Sequence, residues 1–191
     1  MKAGRLEAFT DGVVAIAITI MVLELKVPED GSLAALAERV PILLAYVLSF
    51  INVGLYWNNH HHLLQATTRI DGRVLWANLF LLFWLSLVPF VIRWLDASNF
   101  SPVATASYGV VLGMAAIGYS LTERAIIACG GRESVVARAV GTDLKGKISL
   151  GLYALAIPLA FVLQWLSVAL YILVILLWLV PDRRIERIVE E

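Results

Sequence analysis

Long apolar stretches separated by short polar connections run along most of the chain. The first four lie at residues 9–25, 33–57, 74–95 and 103–127, and polar or turn-forming residues separate them. An α-helix needs about 20 mostly apolar residues to cross the hydrocarbon core of a bilayer. This pattern predicts four membrane-spanning helices in the first two thirds of the sequence.

The last apolar stretch, residues 148–180, is too long to be a single span. As one helix it would extend roughly 50 Å at 1.5 Å per residue, well beyond the hydrocarbon core. Pro158, Gln164, Trp165 and Ser167 cluster near its middle. These residues favour a tight hairpin of two helices, which predicts six spans, with five as the alternative.

The composition is that of a protein embedded in lipid. Hydrophobic residues make up 60% of the chain and charged residues 16%, with a mean hydropathy of +0.83. Soluble domains carry about 25% charged residues. We therefore expect an all-α polytopic membrane protein, with residues 1–191 forming one domain. The single Cys129 excludes an internal disulfide and a cysteine-based metal cluster.

The positions of the basic residues predict the orientation in the membrane. With six spans and an inner N-terminus, three of the 15 Lys and Arg residues, Lys26, Arg39 and Arg93, face outward. Cytoplasmic loops are enriched in Lys and Arg, and five spans would instead place the basic tail at residues 183–187 outside. We therefore expect a multi-pass protein of the cell membrane with both termini in the cytoplasm.

The first helix presents two different faces. At 3.6 residues per turn, Ile16, Thr19, Ile20 and Leu23 fall on one stripe, and Asp11 lies nearly opposite. A carboxylate within or at the edge of a span costs several kcal/mol unless it is paired, and such residues are often functional. Asp11 therefore either meets polar partners on neighbouring helices or caps the helix. An aliphatic stripe alone is more often a packing surface than a pore.

The N-terminal motif Arg5-x-x-x-Phe9-Thr10-Asp11 resembles a known family signature. It is similar to the Arg-x-x-x-Phe-Ser-Asp sequence on the first helix of the transmembrane protein 175 family of potassium channels, with Thr10 keeping the hydroxyl of the usual Ser. The motif itself covers only the first helix. The resemblance implies a short prokaryotic form with one six-helix unit per chain, a homotetramer, and first helices that line a central pore.

Carried over by position, the resemblance assigns pore residues. Ile16 would form the narrowest ring, Ile20 and Leu23 further hydrophobic layers, and Thr19 a ring of hydroxyl groups. Such a constriction implies moderate selectivity for potassium over sodium, and the chain contains no Thr-Val-Gly-Tyr-Gly filter. The expected partners are further copies of the chain, the lipid bilayer and monovalent cations, with no nucleic acid and no cofactor beyond permeant potassium ions.

The second predicted helix ends in the polar run Trp57-Asn58-Asn59-His60-His61-His62. Consecutive helical residues point about 100° apart, so the three histidines cannot converge on one metal ion. We expect no metal site here. We predict instead a buried network that holds the first helix, in which one histidine, with His61 slightly favoured, joins residues of the signature and of the neighbouring helices. Its other members would be Arg5, Thr10, Asp11, Trp57 and Asn78.

Two other classes of function are compatible with a small polytopic chain. A secondary transporter or proton-coupled carrier would use Asp11 as its ion or proton site. A membrane enzyme would need a constellation of nucleophile, base or paired carboxylates at membrane depth, and the sequence shows none. We therefore predict a potassium-selective cation channel and not an enzyme, with the carrier as the alternative.

Overall fold

The computed structural model describes residues 3–28, 30–67, 69–131, 134–140 and 143–179. Lys2, Arg132 and the basic tail at residues 183–187, which enter the orientation argument, lie outside these ranges. The described residues form nine α-helices. They are α1 (Ala3–Leu23), α2 (Leu33–Glu38), α3 (Val40–Gln65), α4 (Gly72–Ser86), α5 (Val88–Ala97), α6 (Pro102–Gly130), α7 (Val135–Val140), α8 (Leu144–Leu159) and α9 (Gln164–Leu179).

Four helical segments are long and apolar enough to cross a bilayer, which supports a multi-pass membrane protein. They are Ala3–Leu23, Val40–Gln65, Gly72–Ala97 and Pro102–Gly130, and each contains one of the first four predicted stretches or most of it. The last apolar stretch divides into α8 and α9, of 16 residues each, with residues 160–163 between them. The two helices pack against each other as a hairpin.

The second helix differs from its prediction at both ends. The helix is interrupted at Arg39, where the short α2 ends and α3 begins. Pro41 lies in the first turn of α3, where backbone N–H groups have no partner within the helix, so the N–H that proline lacks costs no hydrogen bond. At the other end, α3 continues through the polar run to Gln65. The apolar stretch ends at Trp57, whereas the helix includes the whole polar run that was predicted to end it, because polar side chains beyond Trp57 find partners on neighbouring helices.

The third span contains a break at Leu87, between α4 and α5. Pro89 has no N–H to donate to the carbonyl four residues earlier, so it lies in the first turn of the new helix. The amides of Leu87 and Val91 still bond the carbonyls of Trp84 and Leu87, which keeps the segment nearly continuous.

Helix α6 is the central element of the subunit and contacts α4, α5, α8 and α9. Its buried positions include Gly109, Gly113, Ala115 and Gly118, small residues that let neighbouring helices approach closely. A Cβ added at Gly118 would lie 2.8 Å from the Cα of Leu81 on α4, so the two backbones are in near contact there. The close approach of α4 places Asn78, one turn from Leu81, against α1.

We expect Gly118→Ala to destabilise the protein by about 1–3 kcal/mol, because the added methyl group overlaps the α4 backbone. Gly151→Ala is the matched control, since its added Cβ meets nothing within 4 Å and the gain in helix propensity is the same. Thermal unfolding in detergent would measure both midpoints. Equal midpoints for the two variants would show that α4 and α6 do not pack as described.

Candidate functional site

Helix α1 is buried along one side only. Its buried residues, at spacings of three or four, face α3, α4 and α5. They are Leu6, Thr10, Val14, Ala17 and Met21. The opposite side of the helix has no neighbour among the described residues of the subunit.

The residues of the predicted pore stripe lie on this uncovered side. Ile16 is 61% exposed, Ile20 41% and Leu23 76%. The hydroxyl of Thr19 is also exposed and donates a hydrogen bond to the carbonyl of Ala15, at 2.8 Å. One subunit therefore leaves a continuous aliphatic face of α1 free to meet lipid or another copy of the chain.

A buried chain of hydrogen bonds lies beneath the opposite side of α1. The amide Nδ2 of Asn78 on α4 donates to the hydroxyl oxygen of Thr10, at 3.0 Å. The Oδ1 atom of Asn78 lies 2.6 Å from Nε2 of His60 on α3. Because a carbonyl oxygen only accepts, Nε2 of His60 carries the proton in this arrangement. Three helices are thus joined through one side-chain amide that is fully buried.

A second set of contacts joins the first turns of α1 to α3 nearer the surface. The indole N–H of Trp57 donates to Oδ1 of Asp11, at 2.8 Å. Nδ1 of His61 lies 2.7 Å from Oε1 of Glu7, and Nε2 of Gln65 lies 2.8 Å from the other ring nitrogen of His61. With Gln65 donating, His61 donates to Glu7 as a neutral ring.

These contacts bring together most of the residues of the predicted network, in two separate groups. His60 reaches the signature through Asn78, whereas His61, the histidine favoured from the sequence, bonds Glu7 and stacks on Trp57. Arg5 is exposed and forms no hydrogen bond or ion pair with the residues described here. Phe9 is 52% exposed and lies on the uncovered side of α1.

Glu7 is a contact residue that the sequence argument missed. It precedes Asp11 by four positions, so the two carboxylates lie on the same side of the helix and meet the same face of α3. This i, i+4 pair of acids at the start of an apolar helix was the available signal.

Ion pairs hold the other end of α1. Glu24, just after the last turn, lies 3.1 Å from Arg93 on α5. Asp96 on α5 accepts from Arg39 at 3.2 Å and lies 3.7 Å from Lys26. Arg93 and Asp96 thus bond residues of the first two helical segments, and both ends of α1 are attached to the same subunit.

Comparison with known proteins places this architecture in a family. Residues 5–89 match the family model described as endosomal/lysosomal potassium channel TMEM175. A potassium channel of Chryseobacterium sp. (strain P1-3) is 50% identical over 191 residues, which cover all of both chains. This chain belongs to the TMEM175 family. The family consists of ion channels and not of enzymes.

More distant members of the TMEM175 family agree over most of the chain. A potassium channel of Streptomyces collinus is 35% identical over 182 residues, covering 88% of this chain and 87% of its own. The fold matches the crystal structure of a lysosomal potassium-selective channel TMEM175 homolog from Chamaesiphon minutus. That match has a TM-score of 0.81 at 30% identity and covers 94% of this chain and 97% of the other.

We expect Asn78→Ala to destabilise the subunit, because it leaves the buried Thr10 hydroxyl and the His60 ring without their partner. Each orphaned group costs about 1–3 kcal/mol. Asn58→Ala, an exposed position on α3, is the control. Thermal unfolding in detergent would compare them, and a midpoint for Asn78→Ala equal to that of Asn58→Ala would contradict the bridging role.

Proposed function

We propose that the protein is a homotetrameric cation channel of the cell membrane that conducts potassium in preference to sodium. In this proposal the uncovered face of α1 lines the axial path, with Ile16 as its narrowest ring. The observation that carries the proposal is the asymmetry of α1. One side is fastened to its own subunit by buried hydrogen bonds, while the aliphatic side carrying Ile16 and Leu23 is left open.

The shape of the open face supports an axial position for α1. Phe9, Ile16, Ile20 and Leu23 follow one another at helical spacing, and each is exposed by more than a third of its surface. Copies of α1 placed around a symmetry axis would cover this row with the same row from the other subunits. Thr19 on the same face has an exposed hydroxyl group. Its oxygen could contact a partly dehydrated ion in an axial path, whereas a surface that faces lipid has no need of a polar group.

A ring of branched side chains selects ions differently from a cage of carbonyl oxygens. Such a ring excludes bulk water, so an ion passes when the ring widens enough to stay wet. Potassium holds its hydration shell less tightly than sodium and crosses more readily. Selectivity is moderate, because no set of oxygen atoms replaces the whole shell. Ile20 and Leu23 add further apolar layers beyond Ile16, and conduction needs no cofactor.

The proposal includes six spans and cytoplasmic termini. The hairpin of α8 and α9 supplies two short helices that pack against α6 and add to the four long ones. With this count, the excess of Lys and Arg falls on the side of the α1 N-terminus.

The two sets of polar contacts described above would fix the position and rotation of α1 in the subunit. Thr10, Asn78 and His60 set the rotation of the helix, and the Asp11–Trp57 and Glu7–His61 contacts hold its inner end. A rotation of α1 by one residue would separate Thr10 from Asn78 and turn Ile16 about 100° away from the axis. Thr10 and Asp11 of the signature motif therefore orient the pore residues through contacts away from the axial path.

We expect Ile16→Asn to bring the potassium-to-sodium permeability ratio toward one, because a polar ring no longer excludes hydrated ions. Val22→Asn, which is 46% exposed and not part of the stripe, is the matched control and should leave the ratio unchanged. Reversal potentials of the purified protein in planar bilayers under bi-ionic conditions would measure both.

Equal effects of the two substitutions would remove Ile16 from the constriction. A carrier would be indicated instead if Asp11→Asn abolished transport while Ile16→Asn left both rate and selectivity unchanged.

Native mass spectrometry of the detergent complex should give the mass of four chains. The proposal specifies four copies of α1 around the axial path, in which the exposed row of each copy meets the same row of its neighbours. A stable monomer that still conducts ions would contradict the axial path.

A further inference from the structure

A cavity lies inside each subunit, between α3, α6, α8 and α9, and it is separate from the open face of α1. Its lining residues include Asp143 and Gly146 at the start of α8 and Asn59 near the end of α3, the end that contacts the start of α1. The cavity together with its open mouth has a volume of about 480 Å³.

Two buried polar groups in the wall of this cavity have no hydrogen-bond partner. Asn52 is 5% exposed and its amide Nδ2 is unpaired. Tyr153 is 2% exposed and its hydroxyl is unpaired. Buried polar groups are nearly always satisfied by protein, water or a ligand, and an orphaned one costs about 1–3 kcal/mol. The hydroxyl of Tyr153 can accept a hydrogen bond from an occupant of the cavity, whereas Nδ2 of Asn52 only donates and requires an acceptor such as water.

Aromatic rings form much of the remaining wall. The ring centroids of Tyr56 and Tyr119 are 6.1 Å apart, and those of Tyr119 and Trp178 are 6.3 Å apart. These three neighbouring rings form an aromatic arc in the wall. Tyr153 adds a fourth ring from α8. Aromatic faces carry partial negative charge and attract ammonium groups, and cages of this kind bind organic cations.

The charge of the wall favours the same class of ligand. Among the described residues that line the cavity, Asp143 is the single charged one, and it sits at the N-cap of α8. Its Oδ1 atom accepts from the amide of Gly146 at 3.1 Å. A wall with a carboxylate, aromatic rings and no lining Lys, Arg or His favours a cation over an anion as the ligand.

We propose that this cavity binds a small primary or secondary ammonium ion. The ammonium group lies between the carboxylate of Asp143 and the aromatic arc, where the hydroxyl of Tyr153 can accept from it, and a short apolar tail extends along Leu55 and Ala116. The site involves no residue of α1, so it does not depend on the channel proposal.

Titration calorimetry of the purified protein with n-propylammonium chloride in sodium chloride buffer tests this site. We expect one saturable site per chain and no binding of n-propanol, the neutral analogue of the same length. Asp143→Asn should weaken binding about fivefold, because it removes the charge. Asn keeps both the N-cap and the positive φ of 43° at this position, so the helix start is preserved.

Two variants complete the test. Asp71→Asn makes the same change at the N-cap of α4, outside the cavity, and should leave the affinity unchanged. Ala116→Leu fills the cavity and should abolish binding. Ile16→Ala should bind as the unmodified protein does, because the site is not in the axial path.

Several results would overturn the proposal. No saturable binding would leave the cavity to water alone, and equal binding of n-propanol would remove the role of charge. Unchanged affinity in Asp143→Asn, or an equal loss in Asp71→Asn, would place the ligand elsewhere. Abolition by equimolar potassium chloride would indicate an inorganic cation site, and loss of binding in Ile16→Ala would move the ligand to the axial path.

Discussion

The amide side chain of Asn78 is the constraint on which the arrangement of α1 depends. In a lipid-embedded bundle, water does not replace a lost hydrogen bond, so both ends of this buried amide need protein partners. Its Nδ2 donates to Thr10 and its Oδ1 accepts from His60, which joins α1, α3 and α4. These bonds form at one orientation of α1 about its own axis. The direction in which Ile16 points is therefore set by a polar contact on the far side of the helix.

Close packing between α4 and α6 makes that contact possible. Gly118 lets the α4 backbone approach at Leu81, and Asn78 lies one turn away, so the position of the amide depends on a missing Cβ. The contact of Glu24 with Arg93 then secures the C-terminal end of α1. Helix α1 is therefore held at its middle and at both ends by contacts within its own subunit.

The sequence predicted the helices better than it predicted their polar contacts. Hydropathy and length located the long helices and the division of the last stretch, since lipid imposes a length of about 20 apolar residues. The polar run from Trp57 to His62 was predicted to end the second helix, and α3 continues three residues beyond it to Gln65. The choice between His60 and His61 depends on which helix lies on each side of α3, and one sequence does not contain that information.

The polar run at the end of α3 contacts three different parts of the subunit. Asn59 lines the internal cavity, His60 points to α4, and His61 points to α1. Successive residues of a helix differ by about 100°, so a cluster that is dense in sequence is dispersed in space. This geometry prevents the histidines from sharing a metal ion. It also lets one short segment contact α1 and α4 on one side and line the aromatic cavity on the other.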